Sequence, residues 1–154
     1  MPSLSIVIVA KNEAHNIVEC VRSARFADEV IVMDSGSTDG TAELARAEGA
    51  TVVVTDWPGY GPQNNRGIEL ARGDWFFSLD ADERITPELA QEIRGAIART
   101  DVEGFRVPRL SMFCGRFMHH GGWRPDYTWR LARRGKARFT DDYLHAHLKV
   151  QGVE

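Results

Sequence analysis

Apolar residues fall in short dense runs separated by stretches of helical period, and the alternation is regular through the first hundred positions. Leu4 to Ala10 (LSIVIVA) is rich in β-branched residues, the pattern of a strand covered on both faces as in a parallel sheet. After the turn Lys11-Asn12-Glu13, Ile17, Val18, Val21 and Ala24 recur at helical spacing and predict a helix over Ala14 to Arg25. Glu29 to Met33 is a second apolar run, ending at Asp34. The turn and cap residues Ser35-Gly36-Ser37-Thr38-Asp39-Gly40 then lead into a helix from Thr41 to Glu48, closed by Gly49. Thr51 to Thr55 reads as a third strand. Asp56 to Asn65, rich in Gly, Pro and Asn, reads as a loop, followed by a helix from Asn65 to Arg72 that stops at Gly73. Trp75 to Leu79 is a fourth strand, and Thr86-Pro87-Glu88 supplies an N-cap and a first-turn proline for a helix reaching Thr100.

Four strand–helix repeats imply an α/β fold with a mostly parallel sheet and helices on both faces. After Asp101 the pattern becomes mixed. Gly104 to Leu110 reads as a strand and Met112 to Trp123 as a Gly- and His-containing loop. Tyr127 to Ala132 and Ala137 to Thr140 read as a hairpin around Arg134-Gly135-Lys136. The expectation is one domain over 1–154, with a second half that extends the sheet and covers one edge of the site.

Composition changes this picture in three ways. The net charge of −3 conceals an acidic first hundred residues (net −7) and a basic remainder (net +4), so the two halves face different surroundings. A basic second half suits phosphate or an anionic membrane surface, but no nucleic-acid-binding motif accompanies its arginines, which argues against nucleic acid. Cys20 and Cys114 form no CxxC or zinc spacing, which fits a reducing, cytoplasmic compartment. The longest apolar run, Ile6 to Ala10, is far short of the ~20 residues that span a bilayer, so the expectation is a protein either soluble in the cytoplasm or peripheral at the inner face of the membrane. The chain stops at Gln151-Gly152-Val153-Glu154 without a closing element, the expectation being a C-terminal truncation.

The candidate chemistry centres on Trp75 to Glu83, WFFSLDADE, where an apolar run ends in three carboxylates within four positions. Two carboxylates ~4 Å apart at an effective dielectric of ~20 repel by roughly 4 kcal/mol, so such a cluster calls for a cation, and a divalent metal is the simplest. If the strand continues, alternation places Asp80 and Asp82 on one face with Ala81 pointing away. A bare DxD is also compatible with a solvated acidic turn. What separates the two readings is position: strand one ends at Lys11-Asn12-Glu13, strand two at Asp34 and strand four at Asp80, and an open parallel sheet binds its ligand at the carboxyl ends of its strands. A dinucleotide fold would need GxGxxG after strand one, where this chain has AKNEAH, and no P-loop is present. A haloacid-dehalogenase-like phosphatase would need Thr or Val where Arg84 stands.

IVIVAKNE, then VIVMDSGSTDGTAELA, then PQNNRGIELARGDWFFSLDADE together resemble the nucleotide-binding half of glycosyltransferase family 2, the inverting enzymes of GT-A fold. GGWRPDYTWRLARRGKARFTDDYLHAH more loosely resembles the acceptor half of a subgroup related to bacterial lipopolysaccharide-core glucosyltransferases. The resemblance implies a nucleotide-diphosphate-sugar donor, UDP-glucose first, a Mg²⁺ or Mn²⁺ cofactor and a saccharide or glycolipid acceptor. It places Ala10, Asn12 and Glu13 along the base and ribose and Asp34 on the base. Asp82 becomes the direct metal ligand, with Asp80 reaching the ribose or a metal-bound water, and Ala81 and Asn65 belong to the donor site.

Inversion needs in-line attack by an acceptor hydroxyl assisted by a base, for which Asp142, Asp141 and Asp126 are the candidates, Asp142 first. His145 matches a recurring His that faces the diphosphate, although the Glu that usually follows it is here Ala146. A basic residue usual before Asn65 is replaced by Asn64, with Arg66 nearby. Trp123 is the candidate acceptor-stacking aromatic. Arg130, Arg133, Arg134, Lys136 and Arg138 either attract an anionic acceptor or form a solvated hairpin face. The alternative function is a nucleotide-sugar-binding module without turnover.

Overall fold

The computed structural model describes residues 2–108, 112–114 and 127–152, the middle stretch by its backbone alone. The first half follows the strand–helix alternation: β1 (Leu4–Ala10), α1 (Ala14–Ser23), β2 (Glu29–Asp34), α2 (Thr41–Ala47), β3 (Thr51–Val54), α3 (Tyr60–Leu70) and β4 (Trp75–Asp80). Then come β5 (Glu83–Ile85), α4 (Pro87–Ala96), β6 (Gly104–Pro108), β7 (Met112–Cys114), β8 (Tyr127–Arg133), β9 (Ala137–Phe139) and β10 (Leu148–Val150).

The central sheet has the order β3-β2-β1-β4-β8-β6. Its first four strands are parallel, β8 runs antiparallel to β4, and β6 antiparallel to β8, with an irregularity between Phe105 and Arg106. The second half therefore extends the sheet as expected. One face of the sheet packs Leu4, Ile6, Ile8, Trp75 and Phe77 against Ile17, Cys20 and Val21 of α1 and Leu89 and Ile93 of α4. The other packs Val7, Ile31, Met33 and Phe76 against Ile68 of α3 and Phe139, Leu148 and Val150 of the small β9–β10 ladder. The central strands are thus buried on both sides, which is why they read as unbroken apolar runs rather than alternating ones.

Local signals fix the helix ends. The Thr86 hydroxyl accepts from the Leu89 amide at 3.1 Å, and Pro87 occupies the first turn of α4. Gly49 closes the α2 turn with φ +95°.

Three local expectations are corrected. Helix α3 begins at Tyr60, five residues before the expected start at Asn65. The reason is tertiary: the Tyr60 and Gly61 amides donate to the Tyr143 and Asp142 carbonyls (2.7 and 3.2 Å), Pro62 has no amide hydrogen to satisfy, and Gln63 makes the first intrahelical bond to Gly59. Tyr127–Arg133 and Ala137–Phe139 do not pair as a hairpin. A tight turn is present, with Lys136 donating to Arg133 at 3.1 Å, but both edges of β8 are taken by β4 and β6, so β9 pairs with β10. Finally, residues 112–114, expected within a loop, form β7 and pair with β5.

Candidate active site

Parallel register brings the strand ends together. Ala10 lies opposite Asp34, and Val9 opposite Asp80, so the carboxyl ends of β1, β2 and β4 lie side by side at one end of the sheet, where an open parallel sheet forms its binding crevice. The first two turns are knitted to each other. Asn12, with φ 52°, donates its backbone amide to the Ser37 hydroxyl at 2.8 Å and accepts from the Thr38 amide through its side-chain oxygen at 2.8 Å. Asn is among the few residue types that tolerate this left-handed backbone. The Glu13 amide donates to the Thr41 hydroxyl (2.9 Å), and the Glu13 carboxylate accepts from the Asn16 side chain (3.0 Å). Asp34, only 1% exposed, accepts from both the amide and the hydroxyl of Ser37 at 3.0 and 2.5 Å. A buried carboxylate held by two donors is fixed in direction, with lone pairs remaining for a ligand N–H.

The acidic stretch differs from its expected geometry. Strand β4 ends at Asp80 and the chain turns through Ala81 and Asp82, because β5 begins at Glu83 to reach β7. Strand alternation therefore does not put Asp80 and Asp82 on one face; a turn presents them. Asp82 is exposed, and among the described residues no side-chain hydrogen bond or ion pair engages it. Asp80 is held from both sides. Its Oδ1 accepts the Tyr60 hydroxyl at 2.5 Å, its Oδ2 lies 3.7 Å from Arg130 Nη2, and its amide donates to Glu83 Oε1 at 2.9 Å. Burial and the Asp80 charge push the Tyr60 phenol well above its ordinary pKa, so it stays a donor.

Arg130 and Glu83 are 5% and 2% exposed and form a two-pronged ion pair at 2.8 and 3.0 Å. Burial opposes the Arg130 charge, but Glu83 and then Asp80 outweigh it and hold the guanidinium firmly protonated. Tyr60 was not among the residues expected at the site, and Arg130 was expected only to attract an anionic acceptor or to lie on a solvated hairpin face, not to pair with Glu83 and Asp80. The available signal was a lone arginine between Trp129 and the apolar pair Leu131-Ala132, in a chain that had three acids needing a cation.

Beside Asp80 opens a cleft of about 520 Å³, lined by Tyr60, Tyr127, Thr128, Trp129, Arg130, Phe139 and the segment Leu144 to Leu148. His145, Ala146 and His147 all line it. Asp141 and Asp142 do not: both are exposed, and the Asp142 carboxylate accepts the Thr140 hydroxyl at 2.6 Å. The candidate base Asp126 and the candidate aromatic Trp123 lie outside the described residues, as do His119 and His120.

Asn65 has a different place from the one expected. Its buried amide donates to the Phe139 carbonyl at 3.0 Å and accepts from the Phe139 amide at 2.9 Å, so it locks β9 to α3 rather than facing the crevice. Of the two readings of the basic turn, Arg134 and Lys136 follow the solvated one: both are exposed. In the β4–β8 register Arg133 lies opposite Trp75, so Arg134 and Lys136 sit at the end of the sheet away from the crevice. Arg130, Arg133 and Arg138 are paired with Glu83, Glu103 and Glu69.

Among the described residues no group of three or more His, Cys, Asp or Glu forms a metal nest. The two hard carboxylates of the β4 turn nevertheless suit a cation shared with a ligand, since Mg²⁺ typically takes one or two protein carboxylates and completes its shell with phosphate and water. No described helix is long and apolar enough to cross a membrane.

Comparison with known proteins gives this geometry a family. The model of the glycosyl transferase family 2 matches residues 5–151. An uncharacterized glycosyltransferase of Rickettsia bellii is 37% identical over 79% of this chain and 41% of its own length. The lipopolysaccharide core biosynthesis glycosyltransferase LpsC of Rhizobium meliloti is 33% identical over 88% of this chain and 53% of its own. The chain thus spans about half the length of such relatives. Among solved structures, glucosyl-3-phosphoglycerate synthase from Mycobacterium tuberculosis, in complex with Mn²⁺, UDP and glucosyl-3-phosphoglycerate, aligns with TM-score 0.58 and 29% identity over 67% of this chain and 42% of that one. S. aureus TarS shares the fold over 93% of this chain and 52% of its own, with TM-score 0.69 and 18% identity. With the sheet order, the convergent strand ends and the matched residues in agreement, the chain belongs to glycosyltransferase family 2.

Proposed function

We propose that this chain carries the donor site, and part of the acceptor site, of an inverting, metal-dependent glycosyltransferase that uses a UDP-sugar, UDP-glucose first, and delivers the sugar to a saccharide or glycolipid of the cell envelope. The observation that carries this reading is the placement of Asp34 and Asp80 at the carboxyl ends of β2 and β4, the two parallel strands that flank β1, with Asp82 exposed in the turn that follows β4. Asp34 accepts an N–H of the base, and the Ala10 to Glu13 turn lines the base and ribose. Asp82, with Asp80 beside it, would hold Mg²⁺ or Mn²⁺, which neutralises charge on the departing diphosphate.

The acceptor hydroxyl enters from the 520 Å³ cleft, whose lining includes Trp129 and Tyr127, side chains of the kind that pack against a sugar ring. A base must lie within ~3 Å of the hydroxyl proton in the working complex. It is assigned to the segment 140–147, with Asp142 as the first position to test and the cleft-lining His145 as the comparison. A lipid-linked acceptor would bring the chain to the inner face of the membrane.

Release of UDP from UDP-glucose, and then from other UDP-sugars, tests the reading in the presence of Mn²⁺ and of EDTA. Metal-dependent release that Asp82→Ala abolishes is expected. Release with EDTA equal to that with Mn²⁺ contradicts the metal assignment, and binding without release from any UDP-sugar favours the non-turnover module that Ala146 motivates. Equal rates for wild type and Asp142→Asn move the base to His145 or beyond the described residues.

A further inference from the structure

We propose that Arg130, on the acceptor-side strand β8, is a positioning residue that shapes the Asp80–Asp82 turn to receive the divalent cation and diphosphate together; the inference rests on the nucleotide-sugar reading above. The guanidinium is fully engaged. Its Nε donates to the Thr128 hydroxyl (3.2 Å), and its Nη1 to the Ser78 carbonyl (3.1 Å) and Glu83 Oε1 (2.8 Å). Its Nη2 donates to Glu83 Oε2 (3.0 Å) and lies 3.7 Å from Asp80 Oδ2. Glu83 Oε1 also accepts the Asp80 amide at 2.9 Å, which closes a ring around the turn. Two of the three acids, Asp80 and Glu83, are thereby gathered around one cation on the protein side, and the third, Asp82, is left exposed.

Stability alone is a poor reason for this arrangement. A buried Arg–carboxylate pair can often be replaced by apolar residues of similar volume without loss of stability. Arg130 and Glu83 are both buried, so a pair of methionines is the apolar replacement against which the ion pair is compared. What methionine would not supply is a fixed positive charge beside Asp80 and a fork that holds Glu83 against the turn backbone. Second-layer partners of this kind typically govern metal affinity because they orient the liganding carboxylates.

The test compares wild type, the double variant Arg130→Met/Glu83→Met and the single variant Arg130→Lys, each checked for folding by circular dichroism. UDP affinity is measured by calorimetry with and without Mn²⁺, and the quantity read is the factor by which Mn²⁺ strengthens UDP binding. A positioning role predicts that this factor drops at least about tenfold in the double variant, or about 1.4 kcal/mol. UDP affinity without metal should stay within about twofold of wild type, on the scale where tenfold is 1.4 kcal/mol. Arg130→Lys, which keeps the charge and loses the fork, should fall between, and it decides the question alone if the double variant does not fold. An unchanged factor, or an equal weakening with and without Mn²⁺, overturns the proposal while leaving the nucleotide-sugar reading intact. A wild type that binds UDP with no Mn²⁺ effect, or not at all, overturns both.

Discussion

Gly61 sits where the donor half meets the segment that lines the cleft, and Gly61→Ala tests whether that seam is as tight as it looks. In an ordinary helix the change would stabilise, by about 1 kcal/mol from helix propensity. Here the added Cβ would lie 1.8 Å from the Thr140 carbonyl oxygen and 2.9 Å from the Ala146 Cβ. Neither neighbour is the end of a flexible side chain, so the 140–147 segment must back away by more than an ångström. That retreat strains or breaks the bonds from the Tyr60 and Gly61 amides to Tyr143 and Asp142, each worth roughly 0.5–1.5 kcal/mol. Overpacking adds about 1–3 kcal/mol, so the net destabilisation after the propensity gain is about 1–5 kcal/mol, centred near 3. For a chain of this size that is a fall in Tm of roughly 5–15 °C by calorimetry. UDP binding should survive, since Asp34, Asp80 and Asp82 stand on other elements, whereas turnover should fall because His145 to His147 shift over the cleft. A Gly61→Ala variant with wild-type Tm and wild-type turnover would refute the packing argument.

Further outcomes follow from the same geometry. Asn65→Ala leaves the buried amide and carbonyl of Phe139 without partners; at about 1–3 kcal/mol each it should cost roughly 2–5 kcal/mol in urea unfolding, and Asn65→Asp, which can accept but not donate, should recover part of this. Glu29 accepts from the Ser5 hydroxyl and from the Arg72 amide and guanidinium. Although burial pushes its pKa up, these donors outweigh it and hold the carboxyl below its ordinary value. A depressed folded pKa gives stability that is present above about pH 4.3, the unfolded value, and is lost as pH falls through the folded one. Because Arg72 is largely exposed, the effect should be only about 1 kcal/mol. Glu29→Gln should therefore be less stable than wild type at pH 7, and the difference should shrink in thermal melts as pH falls below the unfolded value of about 4.3.

The parallel half of the fold was legible because its strands are buried on both faces and its helices carry local end signals: Thr86-Pro87 opens α4, and Gly49 follows α2. Such information lies within a few residues of the element it specifies. Helix α3 escaped because its first turn, Tyr60-Gly61-Pro62, has loop composition, and the carbonyls that satisfy its amides come from Asp142 and Tyr143, some eighty residues away by the reach of a long-range contact. The expected hairpin failed for a related reason: turn chemistry at Arg134-Gly135-Lys136 was read correctly, but the sheet supplied β8 with two other partners. Within the site, Asp34 and Asp80 were placed by the rule for strand ends, which needs only strand order. Tyr60 and Arg130 were not, because their link to Asp80 spans separate elements. The shared face expected of Asp80 and Asp82 assumed a strand that in fact ends one residue into the motif.

The central claim is that the β4 turn and the β1 and β2 termini together bind a nucleoside diphosphate with a divalent cation. Calorimetric titration of UDP, with and without Mn²⁺, into wild type and Asp82→Ala tests it most directly. The account predicts that UDP binds wild type, that Mn²⁺ strengthens the binding, and that Asp82→Ala keeps the metal-free affinity while losing the Mn²⁺ effect. Failure of UDP to bind wild type, or an Asp82→Ala variant that responds to Mn²⁺ as wild type does, would contradict it.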